Sequence, residues 1–579
     1  MKDPKLNTHQ AESHETDATL HTSPDATRPA ASNRRQFLSK VGNVTAATLV
    51  GSLVTDSAQA QTSRVTKRSE EILSRSDASA ESLTLQRVRK AYRCRMDAAQ
   101  MASTRTLPFQ INNGDEDRYA SKVATYSKAL PHNNLGEVDL AAYASLVKAR
   151  RSQDPAEYEN IQLGLGRKLT SPQAGLAMDL EGPDSHHVTL PPAPRFSSAE
   201  EAGEMVELYW MALARDVNFT AYDTNPIIAA AAADISLLTD FRGPKEQGRV
   251  TPATIFRNRT DGDLAGHWLS QFLLLDFSFG ANYFSQKIQT LPANKDYMTS
   301  YNDWLSVQNG ADPSANIEYD LTPRYMRNLR DLAQWVHVDA LYQAYLQAAL
   351  ILMGQGARLD PGLPLADSRT QLPFAQCGGP HILSLVTEVA TRALKAVWYQ
   401  KWFVHHRLRP EEFGGRVHNH VTGAARYPIH PDMLNSPALR AVNQKFGTFL
   451  LPMAFPEGSP THTSYGSGHA TVAGACTTIL KAFFDETDIV RNPKVPNEDG
   501  TALVPYVGPT LTIAGELNKV ASNIANGRNG AGVHWRTDAV NSIRLGEEIA
   551  MGILQEQKLT YNEDVTMSLT KFDGTRITI

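Results

Sequence analysis

Three stretches of the chain carry apolar residues at helical spacing, and two of them end the stripe on a cation. Over 383–402 the stripe Val386, Val389, Ala393 and Val397 reaches Lys401 one turn later. Over 509–528 it runs Ile513, Leu517, Val520, Ile524 and closes on Arg528, after which Asn529-Gly-Ala-Gly532 breaks the helix ahead of His534-Trp-Arg-Thr-Asp538. The third, over 470–484, uses Val472, Cys476, Ile479, Leu480 and Phe483 and comes directly after Pro460-Thr-His-Thr-Ser-Tyr-Gly-Ser-Gly-His469. The same periodicity predicts helices over 83–99, 140–151, 198–216, 227–239, 262–279, 297–307 and 325–353, with loops at 190–194 and 363–371. Residues 566–579 alternate around Asp573-Gly574, a β-hairpin signal. The predicted fold is mostly α: a helical bundle that places a polar site among facing helices, with a small C-terminal β-hairpin.

A cation that emerges from an apolar stripe is costly unless something negative meets it. Lys401 and Arg528 are two such cations, and Arg409, just ahead of Pro410, lies eight residues after Lys401. Gly466, Ser467 and Gly468 can turn backbone N–H groups toward one point at a helix mouth, where the dipole adds to the attraction for an oxyanion. His469 then stands as a general acid/base beside that anion. Lys401, Arg409, Arg528, the Ser467 hydroxyl and the Gly468 N–H together suit a tetrahedral oxyanion bearing more than one negative charge. His534 can bond to the central atom. If that atom is phosphorus, His534 is a nucleophile; if it is vanadium, His534 is a metal ligand. Asp538 is placed to orient His534, to pair with an arginine, or to cap the next helix. His405, His406 and His381 read as structural, and Trp402 and Trp535 as packing walls.

Lys401 to Arg409-Pro410, Ser467-Gly-His469, and Arg528 to His534 resemble the three-part signature shared by vanadium-dependent haloperoxidases and type 2 phosphatidic-acid phosphatases, bacterial class A acid phosphatases included. The resemblance spans 371–554 most directly, and 250–284 is similar to the rest of a bromoperoxidase-type chain. The eight-step interval, and His462 seven residues before His469, resemble the algal and cyanobacterial bromoperoxidases. That resemblance implies two helical bundles in one unit and vanadate held by Lys401, Arg409, Ser467, Gly468, His469 and Arg528, with His534 as vanadium ligand. It implies catalytic roles for His469, Lys401 and His462, with hydrogen peroxide oxidising bromide or iodide to a hypohalous acid that halogenates organic acceptors. It also implies a homo-oligomer, dimer to dodecamer. Chloride oxidation would depend on the surroundings of His462 and Gln400. An exported acid phosphatase is the alternative use of the same residues, and a phosphate or vanadate carrier would need the cations but not His469.

Composition narrows the class. The chain has 579 residues, 41% of them apolar and 20% charged, with a formal net charge of −4, enough for a large core and without the basic excess of a nucleic-acid binder. Haem is not supported, there being no Cys-x-x-Cys-His. Cys94, Cys377 and Cys476 lie far apart and indicate no disulfide framework. Residues 1–29 read as disordered. Arg34-Arg35, the apolar run 44–54 and Ala58-Gln-Ala60 then read as a twin-arginine export signal, too short for the roughly 20 residues that span a bilayer. The expected organisation is a tail and signal over 1–60 and one catalytic domain over 61–579, periplasmic or extracellular.

Overall fold

A computed structural model describes residues 83–579; the expected tail and export signal lie outside them. The chain divides into an N-terminal unit, Met1–Arg89, and a body, Lys90–Ile579. Among the described residues, no helix is long and apolar enough to cross a membrane.

The body is helical, as its stripes predict. At its centre lies Gly468–Phe483, in which every residue except His469 is buried. A helix apolar on all sides has to sit inside others; here they are Gly379–Tyr399, Ile513–Gly530 and Arg536–Lys558. The closest approach is made by two glycines. A Cβ on Gly474 would lie 1.9 Å from the carbonyl oxygen of Ile543, and one on Gly546 would lie 1.9 Å from that of Thr471. Helices 468–483 and 536–558 therefore meet backbone to backbone, which brings Ser542 Oγ within 2.9 Å of the Ser467 N–H.

The hairpin forms as expected, with Ser568–Thr570 paired antiparallel to Arg576–Thr578. Two more short hairpins, Phe277–Phe279 with Asn282–Phe284 and Lys494–Pro496 with Leu503–Pro505, escape the periodicity reading.

Two predicted helices are corrected. Residues 262–279 hold only a single 3₁₀ turn, Gln271–Leu273, before entering a strand. Gly262 and Gly266 are left-handed, at φ 85° and 66°. The backbone of this segment also bonds to another helix: Asn523 Oδ1 accepts from Ser270 N at 2.7 Å, and Glu516 Oε2 from Gln271 N at 2.7 Å. The predicted helix 325–353 is two helices, Leu329–Val338 and Gln343–Gly354, separated at the extended Asp339. The first stops where Arg528 Nη1 takes the Val336 carbonyl at 2.7 Å. That donor satisfies an end-of-helix carbonyl and sets a cation against the negative end of the dipole.

Candidate active site

Lys401 does not continue the α-helix. Residues Gln400–His405 form a π-helical turn that ends on His406 in the left-handed region, φ 47°. Such a turn re-aims side chains and is frequent at functional sites. Lys401 is fully buried, and its Nζ donates to the carbonyl oxygens of Thr463 and Ser464, at 2.7 and 2.8 Å. Arg409 caps Pro410–Thr422, its N–H donating to Glu412 Oε2 at 2.7 Å. Its guanidinium donates to the carbonyl oxygens of His462 and Val533, at 2.9 and 2.7 Å, and to two imidazoles, His534 Nε2 at 3.0 Å and His462 Nδ1 at 2.9 Å. Arg528 is anchored on Val336, with its Nε buried and unpartnered. Ser467 is the N-cap of Gly468–Phe483, accepting from Ala470 N at 3.3 Å.

Of the residues singled out for the oxyanion site, five line one cavity; Arg409 joins it through His534 and His462, Lys401 is held on the Thr463 and Ser464 carbonyls, and the Ser467 N–H expected to face the anion is taken instead by Ser542 Oγ at 2.9 Å. His462, Gly468, His469, Arg528 and His534 line one cavity of about 260 Å³, walled on its apolar side by Trp398, Leu341, Phe455 and Pro460. None of Lys401, Arg409 and Arg528 has a carboxylate within 4 Å among the described residues; carbonyl oxygens, and for Arg409 also imidazoles, hold them in place. Carboxylates act on the three only at longer range, Asp538 on Lys401 and Arg409 and Asp339 on Arg528. Buried cations without a directly bonded carboxylate favour an anion beside them, and a multiply charged oxyanion matches their donors. Burial, then the charge on Arg409, pushes Lys401 well below its usual range. Burial, then Arg409, Lys401 and Arg528, pushes His534 well below its own. Arg528 is brought down to about 10, chiefly by burial.

Two of the imidazoles, His534 and His469, are held in defined tautomers. Asp538 Oδ2 lies 2.7 Å from His534 Nδ1. A carboxylate only accepts, so Nδ1 carries the proton. Arg409, which only donates, finds the lone pair on Nε2. Asp538 also accepts from Trp535 N at 3.3 Å as the third residue of the helix it helps cap, and from Ser464 Oγ at 2.5 Å, so it makes the orienting and the capping contact at once. His462 Nδ1 lies 2.9 Å from Arg409 Nη2 and 3.1 Å from the Thr463 carbonyl oxygen, and the ring leans on Trp398 with centroids 4.7 Å apart.

His469 has a partner the sequence did not point to. Its Nε2 lies 2.9 Å from Asp339 Oδ1, with side chains 15% and 3% exposed. The carboxylate fixes Nε2–H and leaves Nδ1 as the base. Burial lowers the His469 pKa and Asp339 opposes that shift. Asp339 is invisible to periodicity because it interrupts a helix; the interruption is what frees it to reach across. His337, two residues earlier, pairs with Glu457 at 2.6 Å and stacks on Phe455 at 3.8 Å, adding a second unanticipated His–carboxylate pair to the cavity wall.

Gln400 is not part of this cavity. Its amide bonds to Leu190 N, Val188 O and Gln110, at 3.2, 3.1 and 3.0 Å. His406 pairs with Glu116 at 2.6 Å, and His405 packs edge-on to Tyr465, so neither reaches the site. Trp402 and Trp535 are wholly buried packing walls.

Fold and site together define a helical-bundle protein built to hold a multiply charged oxyanion against a histidine lone pair. A family model described as the VCPO second helical-bundle domain matches residues 382–563. The chain is 37% identical to a vanadium-dependent bromoperoxidase of Corallina pilulifera, over 85% of this chain and 98% of that one, and 35% identical to one of Ascophyllum nodosum, over 84% and 91%. The solved structure of the homohexameric second vanadate-dependent bromoperoxidase of Ascophyllum nodosum is similar at a TM-score of 0.83 and 30% identity, covering 87% of this chain and 92% of that one. This chain belongs to the vanadium-dependent bromoperoxidase family.

Proposed function

We propose that this protein is a vanadate-dependent bromoperoxidase, oxidising bromide and iodide with hydrogen peroxide to hypohalous acid that halogenates organic acceptors. The observation that carries the site assignment is the ring of three buried cations without carboxylate partners around a histidine whose Nε2 is kept as a lone pair. Vanadate fits it: Lys401, Arg409 and Arg528 would neutralise its oxygens, Ser467 and the Gly468 N–H would donate to them, and His534 Nε2 would ligate the metal. Bound there, vanadate supplies a Lewis acid that activates peroxide toward halide without changing oxidation state.

The chain's own residues do the rest. His469, held through Nε2–H by Asp339, presents Nδ1 to take the proton that peroxide loses on binding. Lys401, fixed by two carbonyls, would donate to and polarise oxygens of the bound group. With vanadate bound, Arg409 would give up its contact with His534 Nε2 and donate to the anion, its contacts with the His462 and Val533 carbonyls holding it in place. His462, bonded to Arg409 and packed on Trp398, borders the space left for halide.

The proposal of export to the periplasm or exterior is supported by Arg34-Arg35, the apolar run and the Ala-x-Ala after it. Homo-oligomeric assembly rests on the similar homohexamer.

The test strips the purified chain with chelator and phosphate at low pH and restores orthovanadate. Bromination of a dimedone-type acceptor is monitored with bromide and peroxide, alongside hydrolysis of p-nitrophenyl phosphate without vanadate. Vanadate-dependent bromination that vanishes in His534→Ala is expected. Ester hydrolysis inhibited by vanadate, with no halide oxidation, would make His534 a nucleophile and the protein a phosphatase.

A further inference from the structure

Asp538 is not the end of the contact chain that starts at His534. Its Oδ1 accepts from Arg407 Nη1 at 2.9 Å, and the other Arg407 nitrogen donates to Glu204 Oε2, also at 2.9 Å, and to Glu201. Thr537 closes the circuit: its hydroxyl accepts from Arg407 at 2.7 Å and donates to Glu204 Oε2 at 3.0 Å, while its N–H donates to Glu204 Oε1 at 2.8 Å. The guanidinium carbon lies 4.5 Å from the Trp535 ring centroid and 6.0 Å from that of Tyr465. All four charged side chains are at most 5% exposed.

The arrangement has a direction. Three carboxylates converge on one guanidinium at the Nδ1 edge of His534, and Arg409 stands at the Nε2 edge with Lys401 and Arg528 acting on the same ring. The imidazole lies along a gradient that draws its proton toward Asp538 and leaves its lone pair facing the oxyanion. Asp538 alone could rotate: one oxygen serves Ser464, His534 and Trp535, so its plane is set by what grips the other. Arg407 is that grip, and it is itself held in a fork by Glu201 and Glu204 on the helix Ala199–Leu213.

We propose that Arg407, fastened by Glu201 and Glu204, is the positioning residue that fixes Asp538 and, through it, the tautomer and ring orientation of His534 that the oxyanion needs. The proposal deepens the vanadate reading and rests on it. In sequence, Arg407 passes for another cation of the 401–409 segment; only the fold turns it away from the cavity toward carboxylates some two hundred residues earlier.

The test uses the full chain, stripped and titrated with orthovanadate, as native protein, Arg407→Lys and Thr537→Val. Lysine keeps the charge and loses the fork. Valine removes only the bridging hydroxyl and leaves every charge in place, so it decides the question if Arg407→Lys fails to fold. The vanadate dissociation constant should rise about 10- to 100-fold in Arg407→Lys, the usual effect of losing a partner behind a metal-binding histidine, and by a smaller factor in Thr537→Val. Nitrogen-15 spectra of the vanadate-free protein should show His534 protonated on Nδ1 in the native chain and as a mixture of tautomers in Arg407→Lys. The KM for bromide should not move. Vanadate affinity within about twofold of native, with Nδ1–H intact, would overturn the proposal. A native chain that binds no vanadate yet shows the Nδ1 tautomer would instead overturn the function on which it rests.

Discussion

Replacing Asp339 by asparagine isolates the charge that faces His469. The asparagine oxygen can still accept from Nε2–H, so the contact at 2.9 Å and the break between the two helices survive while the negative charge is lost. Four influences act on His469: burial, the largest, lowers its pKa; Asp339 raises it; Arg528 and Lys401 lower it. The native balance is already a lowered value, and removing its one raising partner lowers it further. Opposite charges at hydrogen-bond distance shift a pKa by about 1–3 units, and with both side chains largely buried water screens this pair little. His469 must be neutral to accept the peroxide proton, so kcat/KM for peroxide rises with pH through its pKa. In Asp339→Asn this acid limb should move to lower pH by about one unit or more, and the plateau should fall because the ring is held less firmly. The assay is bromination rate against pH at saturating bromide on vanadate-loaded enzyme, with vanadate affinity measured separately because Asp339 also acts on Arg528. An acid limb that stays within about 0.3 units of native would refute the assignment of His469 as the base held by Asp339.

Three other perturbations have defined outcomes. Lys401→Met removes a buried cation that has no carboxylate partner, so the vanadate-free protein should gain on the order of 1–3 kcal/mol in denaturant unfolding while its vanadate affinity collapses; loss of both would contradict a cation kept for an anion. His405 is pushed down to about 3, chiefly by burial, with both ring nitrogens unpartnered. Its unfolded form takes a proton near pH 6.5 that the folded form refuses, so stability falls as pH drops below that value, by about 2 kcal/mol at pH 5. His405→Phe should flatten the acid side of the stability profile, and an unchanged slope in urea titrations across pH 5–7 would show that His405 is not its source. Gly546→Ala sets a methyl 1.9 Å from the Thr471 carbonyl oxygen and should cost at least about 1–3 kcal/mol, read as a lowered Tm.

Much of the site was legible in the sequence. Lys401 and Arg528 announce themselves because a stripe that buries Val397 and Ile524 must carry the next residue inward too, and Ser467, Gly468 and His469 because a glycine-flanked helix mouth is an anion cradle by backbone chemistry alone. These are local facts, set by 3.6-residue periodicity and by what glycine permits. Asp339, Arg407, Glu201 and Glu204 were not legible, because each acts on a residue 130 or more positions away and no local spacing marks that partner. The helix misread over 262–279 has the same origin: its backbone N–H groups found Glu516 and Asn523 instead of their own carbonyls. Sequence alone determined which side chains go inward and which cations they carry. The tertiary structure decided which carboxylates meet the histidines, and so which ring nitrogen of each holds a proton, because hydrogen-bond partners are chosen by proximity in space, which no spacing along the chain encodes.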